Sequence, residues 1–103
     1  MATDLREPRL VPDPVRDELD RLAERWRQLP LDQALGVSEV VLATAQRLAD
    51  EVAARTGMPP AHLPDLGPAV VLDQLRVQAY DAVQAAMDGD LADRLAQLRR
   101  ALP

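Results

Sequence analysis

The sequence predicts an all-α fold, a compact antiparallel four-helix bundle with an extended N-terminal arm. Apolar residues recur at three- and four-residue spacing along most of the chain, as in amphipathic helices. Proline, glycine or a capping residue stands at nearly every boundary of these stretches, and the segments between them are mostly short. With 103 residues, we expect a flexible arm over residues 1–12 and one domain over residues 13–103.

The first helix is predicted over residues 14–29. Asp13 precedes Pro14, and this pair is typical of a helix start because the first turn leaves its N–H groups without intrahelical partners. Apolar side chains then follow on one face, namely Val15, Leu19, Leu22, Trp26 and Leu29. Pro30 is expected to end the helix, and residues 30–37 are expected to form a connector with at most one helical turn.

The second helix is predicted over residues 38–57. Ser38 stands at the N-cap position, and Gly57 is a natural C-terminal stop because it is followed by prolines. Residues 57–67 contain three prolines and two glycines, so we expect a loop there.

The third helix is predicted over residues 68–88, with Pro68 at its first position, and the fourth over residues 90–102. The tight turn between them is expected to use Gly89 in the left-handed conformation and Asp90 as the cap of the last helix.

Composition and charge narrow the classes of function. A net charge of −5 argues against nucleic-acid binding and against adsorption to an anionic membrane surface. No cysteine is present, which excludes disulfides and thiolate metal sites. All twelve basic residues are arginine, and lysine, asparagine, isoleucine and phenylalanine are absent. Because these four residues share AT-rich codons, we ascribe the bias to a GC-rich bacterial genome. No signal peptide or apolar run of about 20 residues is seen, so we expect a cytoplasmic protein.

No motif predicts catalysis, a cofactor or a metal site. The single serine is expected to cap a helix and does not lie near His62 in the sequence. Asp88 and Asp90 lack the other ligands of a calcium loop, and the scattered glycines match no phosphate-binding pattern. We therefore predict a non-enzymatic protein with no catalytic residues, no cofactor and no metal.

A second apolar strip makes a protein-interaction module the leading functional hypothesis. Val70 and Val77 lie two turns apart on the side of the third helix opposite its apolar stripe, and Val40 lies off the main face of the second helix. Such a strip is typical of a helix that is covered on both sides. The predicted partner is a second copy of this chain or another protein, and packing of the N-terminal arm is the structural alternative.

A small-ligand binder is the first alternative. Arg76 and Tyr80 lie one turn apart, and with His62 and Asp65 they would form a polar cluster beside the loop at residues 57–67. The simpler interpretation is that Tyr80 shields the edge of the core while Arg76 is solvated.

A DNA-associated regulator is the second alternative. Residues 52–66 resemble the spacing of a helix-turn-helix motif. However, Pro64 would fall inside the recognition helix, at a cost of about 3 kcal/mol. Residues 59–66 also carry no Arg, Lys, Asn or Gln to read bases in the major groove.

Overall fold

The all-α four-helix fold is confirmed in a computed structural model, which describes residues 8–103. No strand occurs in that part of the chain. The helices are α1 (Asp13–Gln28), α2 (Leu31–Thr56), α3 (Val71–Gln84) and α4 (Leu91–Ala101). Most of the predicted N-terminal arm, residues 1–7, lies outside the described residues.

One hydrophobic core joins all four helices. α2 packs most extensively against α3, and α1 packs against α4. The largest fully buried side chains come from every helix, namely Leu19 and Leu22 of α1, Val41 and Leu48 of α2, Leu75 of α3, and Leu91 and Leu95 of α4. Buried alanines such as Ala45 and Ala79 let α2 and α3 approach closely, because interaxial distance depends on side-chain size.

Contacts near their ends show that α2 and α4 are antiparallel. Arg94, near the start of α4, donates two hydrogen bonds to Glu51 in the last part of α2. Val40, in the first half of α2, shares a groove with Ala101 at the end of α4. The two helices therefore run in opposite directions.

Further contacts show that α1 and α4 run in the same direction. Glu18, in the first half of α1, accepts hydrogen bonds from Arg99 of α4. Gln28, the last residue of α1, lines a cleft with Leu102, which follows α4 directly. The C-terminal ends of α1 and α4 therefore lie side by side.

The connector between α2 and α3 runs back along α2. The side chain of Gln46 accepts from the backbone N–H of Leu63 and donates to the carbonyl of Ala61, at 2.8 Å in each case. Farther along, the carbonyl of Pro68 accepts a 2.9 Å hydrogen bond from the indole of Trp26, near the end of α1. α3 therefore begins at the end of the bundle where α2 begins, and these two helices are parallel. Helices joined by a short connector, α1 with α2 and α3 with α4, run in opposite directions as expected, but the two pairs that pack most extensively, α2 with α3 and α1 with α4, are parallel.

α2 begins at Leu31, so the predicted connector over residues 30–37 and the predicted start at residue 38 are wrong. Ser38 is not a cap, because its hydroxyl donates to the carbonyl of Ala34 inside the helix, at 2.8 Å. Pro30, expected only to end α1, occupies the N-cap position of α2. Proline is well tolerated at a helix start, and the buried Ala34 extends the apolar face of α2 by two turns before Val41.

Two other predicted helix starts differ from the structure. Asp13 is the first residue of α1 rather than its cap, with Pro12 at the N-cap position. α3 begins at Val71 rather than at residue 68, because residues 68–70 form a turn. The predicted stop of α2 is confirmed, since Gly57 follows its last residue with a φ of 74°.

The end of α3 also differs from the prediction. Helix α3 ends at Gln84, and Ala86 rather than Gly89 adopts a positive φ, of 59°. The N–H of Met87 reaches back to the carbonyl of Ala82, at 2.8 Å, which is the bond of a Schellman motif. Met87 packs against the core, and this apolar contact accounts for the placement of the turn. Asp90 precedes α4 without a side-chain capping bond.

The described part of the arm is attached to the bundle. The side-chain amide of Gln84 pairs with both the N–H and the carbonyl of Arg9, at 2.9 Å each. Val11 packs against the core, whereas Leu10 is exposed.

Two glycines of α2 provide a direct test of its boundaries. Gly36→Ala is expected to raise the free energy of unfolding by about 0.5–1 kcal/mol, because a helix interior favours alanine over glycine. Gly57→Ala is expected to lower it by about 1 kcal/mol, because Gly57 has a positive φ. An added Cβ meets no atom within 4 Å at either position. Urea denaturation of both variants checks this, and the absence of a gain at Gly36 would contradict a helix over residues 31–37.

Candidate functional site

The three predicted interface valines differ in exposure. Val77 is 53% exposed and Val40 is 48% exposed, whereas Val70 is half-buried. Val40 lines a groove of about 210 Å³ between α2 and α4. Val77 lies on the outer face of α3 and does not line that groove. An interface that uses all three valines stays a prediction.

The outer face of α3 is only partly apolar. Val77 and Tyr80 are its exposed apolar side chains. Asp73 and Asp81, one turn away from Val77 on either side, are also exposed. The apolar surface around Val77 is therefore interrupted by charge.

The predicted ligand cluster is divided between two places. His62 lines a largely apolar groove of about 220 Å³ against α2, together with Leu42 and Leu63. Asp65 accepts a 3.0 Å hydrogen bond from the N–H of Gly67, so its carboxylate stabilises the turn before α3. Arg76 and Tyr80 do not line the groove of His62. A ligand site that uses all four residues stays a prediction.

An apolar surface lies where α1 ends and where α2 and α3 begin. We call it the helix-end patch and define it by the lining of an open cavity of about 310 Å³ together with Leu35. The lining residues are Trp26, Leu29, Leu31, Ala34, Pro68 and Ala69. Leu31 is 69% exposed, and Leu35, one turn farther along α2, is 56% exposed.

Local sequence and tertiary contacts together build the helix-end patch. Because α2 begins directly after Pro30, Leu31 and Leu35 are placed on one helical face at i,i+4 spacing. The bond from Trp26 to Pro68 satisfies the indole N–H, so the ring presents an apolar surface. Sequence reasoning missed this surface because it assigned Leu31 and Leu35 to a connector. Their spacing was the available signal.

A basic cleft lies between the C-terminal ends of α1 and α4. We call it the arginine cleft; it is open and has a volume of about 410 Å³. Its lining residues are Arg21, Glu24, Arg25, Gln28, Arg99, Arg100 and Leu102. This local excess of positive charge contrasts with the net charge of −5 of the whole chain.

A buried carboxylate binds two of the arginines that line the arginine cleft. Glu18 is 8% exposed; it accepts two hydrogen bonds from Arg99, at 2.8 and 3.2 Å, and one from Arg21, at 2.9 Å. The bond from Arg99 is the main cause that lowers the pKa of Glu18, although burial opposes it. The same bond raises the pKa of Arg99. Glu18 therefore remains ionised and holds two guanidinium groups in place.

The arginines of the cleft also have a structural reason to be there. Because α1 and α4 are parallel, the partial negative charges of their C-terminal ends lie together, and nearby cations are favoured. Arg25 lies in the last turn of α1, and Arg99 and Arg100 lie in the last turn of α4. The sequence alone did not predict the cleft, since no local signal reveals that the two helix ends meet.

Two features of the described residues bear on other functions. Within residues 8–103, no group of three or more His, Cys, Asp or Glu side chains is placed to hold a metal ion. None of the helices in that range has the length and apolarity needed to cross a membrane.

Comparisons with protein-family models, curated proteins and solved structures find no match to this chain.

Proposed function

We propose that this chain is a non-enzymatic protein-interaction module that forms a homodimer through the helix-end patch. The observation that carries the proposal is the exposure of Leu31 and Leu35, at 69% and 56%, beside the cavity of Trp26. Contiguous exposed apolar surface in a folded protein marks an interaction site more often than isolated apolar residues do.

The free energy available from covering this patch is substantial. Full burial of a leucine side chain contributes about 1.5–3 kcal/mol, and Leu31 and Leu35 are both largely exposed to water. Tryptophan is among the residues that contribute most to protein interfaces, and Trp26 is one of the lining residues of the patch. Because its indole N–H is already bonded, covering the ring leaves no unpaired donor.

A second copy of the chain is the occupant that best fits this surface. A pair of leucines one turn apart on a helix is self-complementary, since a two-fold axis can pack each pair against its equivalent. Two-fold dimers are the commonest soluble oligomers. The outer face of α3 is a less favourable interface, because Asp73 and Asp81 would be desolvated beside Val77.

The proposal predicts a dimer that a single charge disrupts. Wild-type protein is expected to show the dimer mass in native mass spectrometry and light scattering. Leu35→Glu is expected to raise the dimer dissociation constant by about 100-fold, equivalent to about 2.7 kcal/mol. Met58→Glu is the matched control, because Met58 is 64% exposed and follows the opposite end of α2. This variant should remain dimeric.

Each contrary outcome has a definite meaning. If Val77→Asp dissociates the dimer and Leu35→Glu does not, the dimer interface lies on the outer face of α3. A stoichiometric second protein from the native host would replace the homodimer with an adaptor. A monomer that carries a small-molecule adduct would instead favour the ligand-binding alternative at the groove of His62.

A further inference from the structure

The arginine cleft holds more positive charge than its internal ion pairs use. Arg21 and Arg99 are committed to Glu18, and Glu24 is paired with Arg27 outside the cleft. Arg25 and Arg100 remain, and within residues 8–103 neither is paired with an Asp or Glu side chain. The side chain of Arg25 donates to the main-chain oxygen of Pro103.

The two arginines without an Asp or Glu partner lie on opposite walls of the cleft. Arg25 belongs to α1 and Arg100 to α4, and both residues are exposed. The anchored pair of guanidinium groups on Glu18 adjoins them in the same cleft. Because α1 and α4 are held together by the core and by the bonds of Glu18, the positions of these walls are set before any ligand arrives. Such preorganisation lowers the entropic cost of binding.

We propose that the arginine cleft binds the phosphate group of a small phosphate monoester, with Arg25 and Arg100 as its charged ligands. A phosphate monoester carries a charge between −1.5 and −2 at neutral pH, which two guanidinium groups balance. Arginine presents a planar set of donors that matches phosphate oxygens. A volume of about 410 Å³ accommodates a small organic ligand, and Leu102 offers apolar contact to its body.

This binding site uses no residue of the proposed dimer interface. The arginine cleft and the helix-end patch share no lining residue. The competing explanation is that the four arginines only offset the charges of two adjacent helix ends. That explanation requires no selectivity among anions and no saturable binding.

The test uses phenyl phosphate as ligand, with amide chemical shifts recorded by NMR during titration. Saturable binding is expected, with the largest shifts at residues of the cleft. Affinity should increase several-fold between about pH 5.5 and pH 7.5, because the second phosphate proton dissociates near pH 6. Phenyl sulfate, which stays singly charged in this range, should bind more weakly and without this pH dependence.

Variants assign the binding to the cleft. Arg25→Gln and Arg100→Gln are each expected to weaken phenyl phosphate binding by about 10-fold, as the loss of a charge-assisted contact predicts. Arg16→Gln is the matched control, because Arg16 is also an exposed α1 arginine but is paired with Asp13 at the other end of the helix. It should bind as the wild type does. Circular dichroism establishes that each variant is folded.

Three results would overturn the proposal. The first is no saturable shift up to about 20 mM phenyl phosphate, far above the micromolar-to-millimolar range of most small-ligand sites. The second is an equal loss of binding in Arg16→Gln and Arg100→Gln, which would indicate diffuse attraction. The third is tighter binding of a single-stranded oligonucleotide with a steep salt dependence, which would indicate a nucleic-acid surface.

Discussion

Leu75→Ala is expected to lower the free energy of unfolding by about 3 kcal/mol, the middle of the range for a large-to-small change in a core. Leu75 is fully buried in α3 and belongs to the one core that joins all four helices. Truncation removes buried methyl groups and leaves a cavity whose lining loses contacts. Against a total of about 5–15 kcal/mol for a small domain, this loss is large. Urea or guanidinium denaturation at 25 °C measures it.

Val77→Ala on the same helix is the control for that experiment. Val77 is 53% exposed, so its truncation is expected to change the free energy of unfolding by less than about 0.5 kcal/mol. If Leu75→Ala and Val77→Ala lower the free energy of unfolding equally, either the packing of α3 is contradicted or Val77 is buried in an interface in solution. Measuring at several protein concentrations separates these two cases, because only an interface makes stability depend on concentration.

The second large effect is expected at Glu18, whose carboxylate connects α1 and α4. Glu18→Gln should lower the free energy of unfolding by about 1–2 kcal/mol at neutral pH, since charge-assisted bonds from Arg99 and Arg21 are weakened. A larger loss of stability is not expected, because the side chains of both arginines remain partly exposed and water screens their charges. Glu24→Gln is the control, because Glu24 pairs with Arg27 at the exposed surface of α1 and should matter less.

The effect of Glu18 is also expected to depend on pH. Its folded-state pKa is lowered from an ordinary value of 4.5, so folding favours the ionised form. The stabilisation is therefore complete above about pH 5.5 and is lost as the pH falls through the folded-state pKa. Denaturation of wild type and Glu18→Gln between pH 7 and pH 3 should give curves that converge in acid. A constant difference would show that Glu18 acts through packing rather than charge.

Local periodicity was enough to predict the helical fold and much of its core. The predicted stripe of α3 comprises Leu72, Leu75, Ala79, Ala82 and Ala86. Leu75, Ala79 and Ala82 are fully buried, whereas Leu72 is half-buried and Ala86 is exposed. In α2, Gly57 ends the helix with a positive φ as expected. These features depend on side-chain spacing and backbone preference within one or two turns, and such preferences are readable in any short stretch of sequence.

The start of α2 and the end of α3 could not be predicted in the same way. Pro30 is compatible with a connector and with a helix start, and the burial of Ala34 decides between them. Near the end of α3, a glycine is available for the turn, yet Ala86 adopts the positive φ. The packing of Met87 against the core accounts for that choice. At the end of α3 a tertiary contact therefore outweighs a local preference of about 1 kcal/mol.

By itself, the sequence determined that this protein is helical, which helical faces are apolar, and where arginines stand along each helix. Only the tertiary structure decided that α2 and α3 are parallel, and that α1 and α4 bring their C-terminal ends together. The helix-end patch follows from those helix directions, and so does the position of Arg25 and Arg100 on opposite walls of one cleft. The physical reason is the distance along the chain over which each effect acts. Helix propensity acts between residues a turn apart, whereas the meeting of two helix ends depends on how the connectors and the shared core arrange the whole chain.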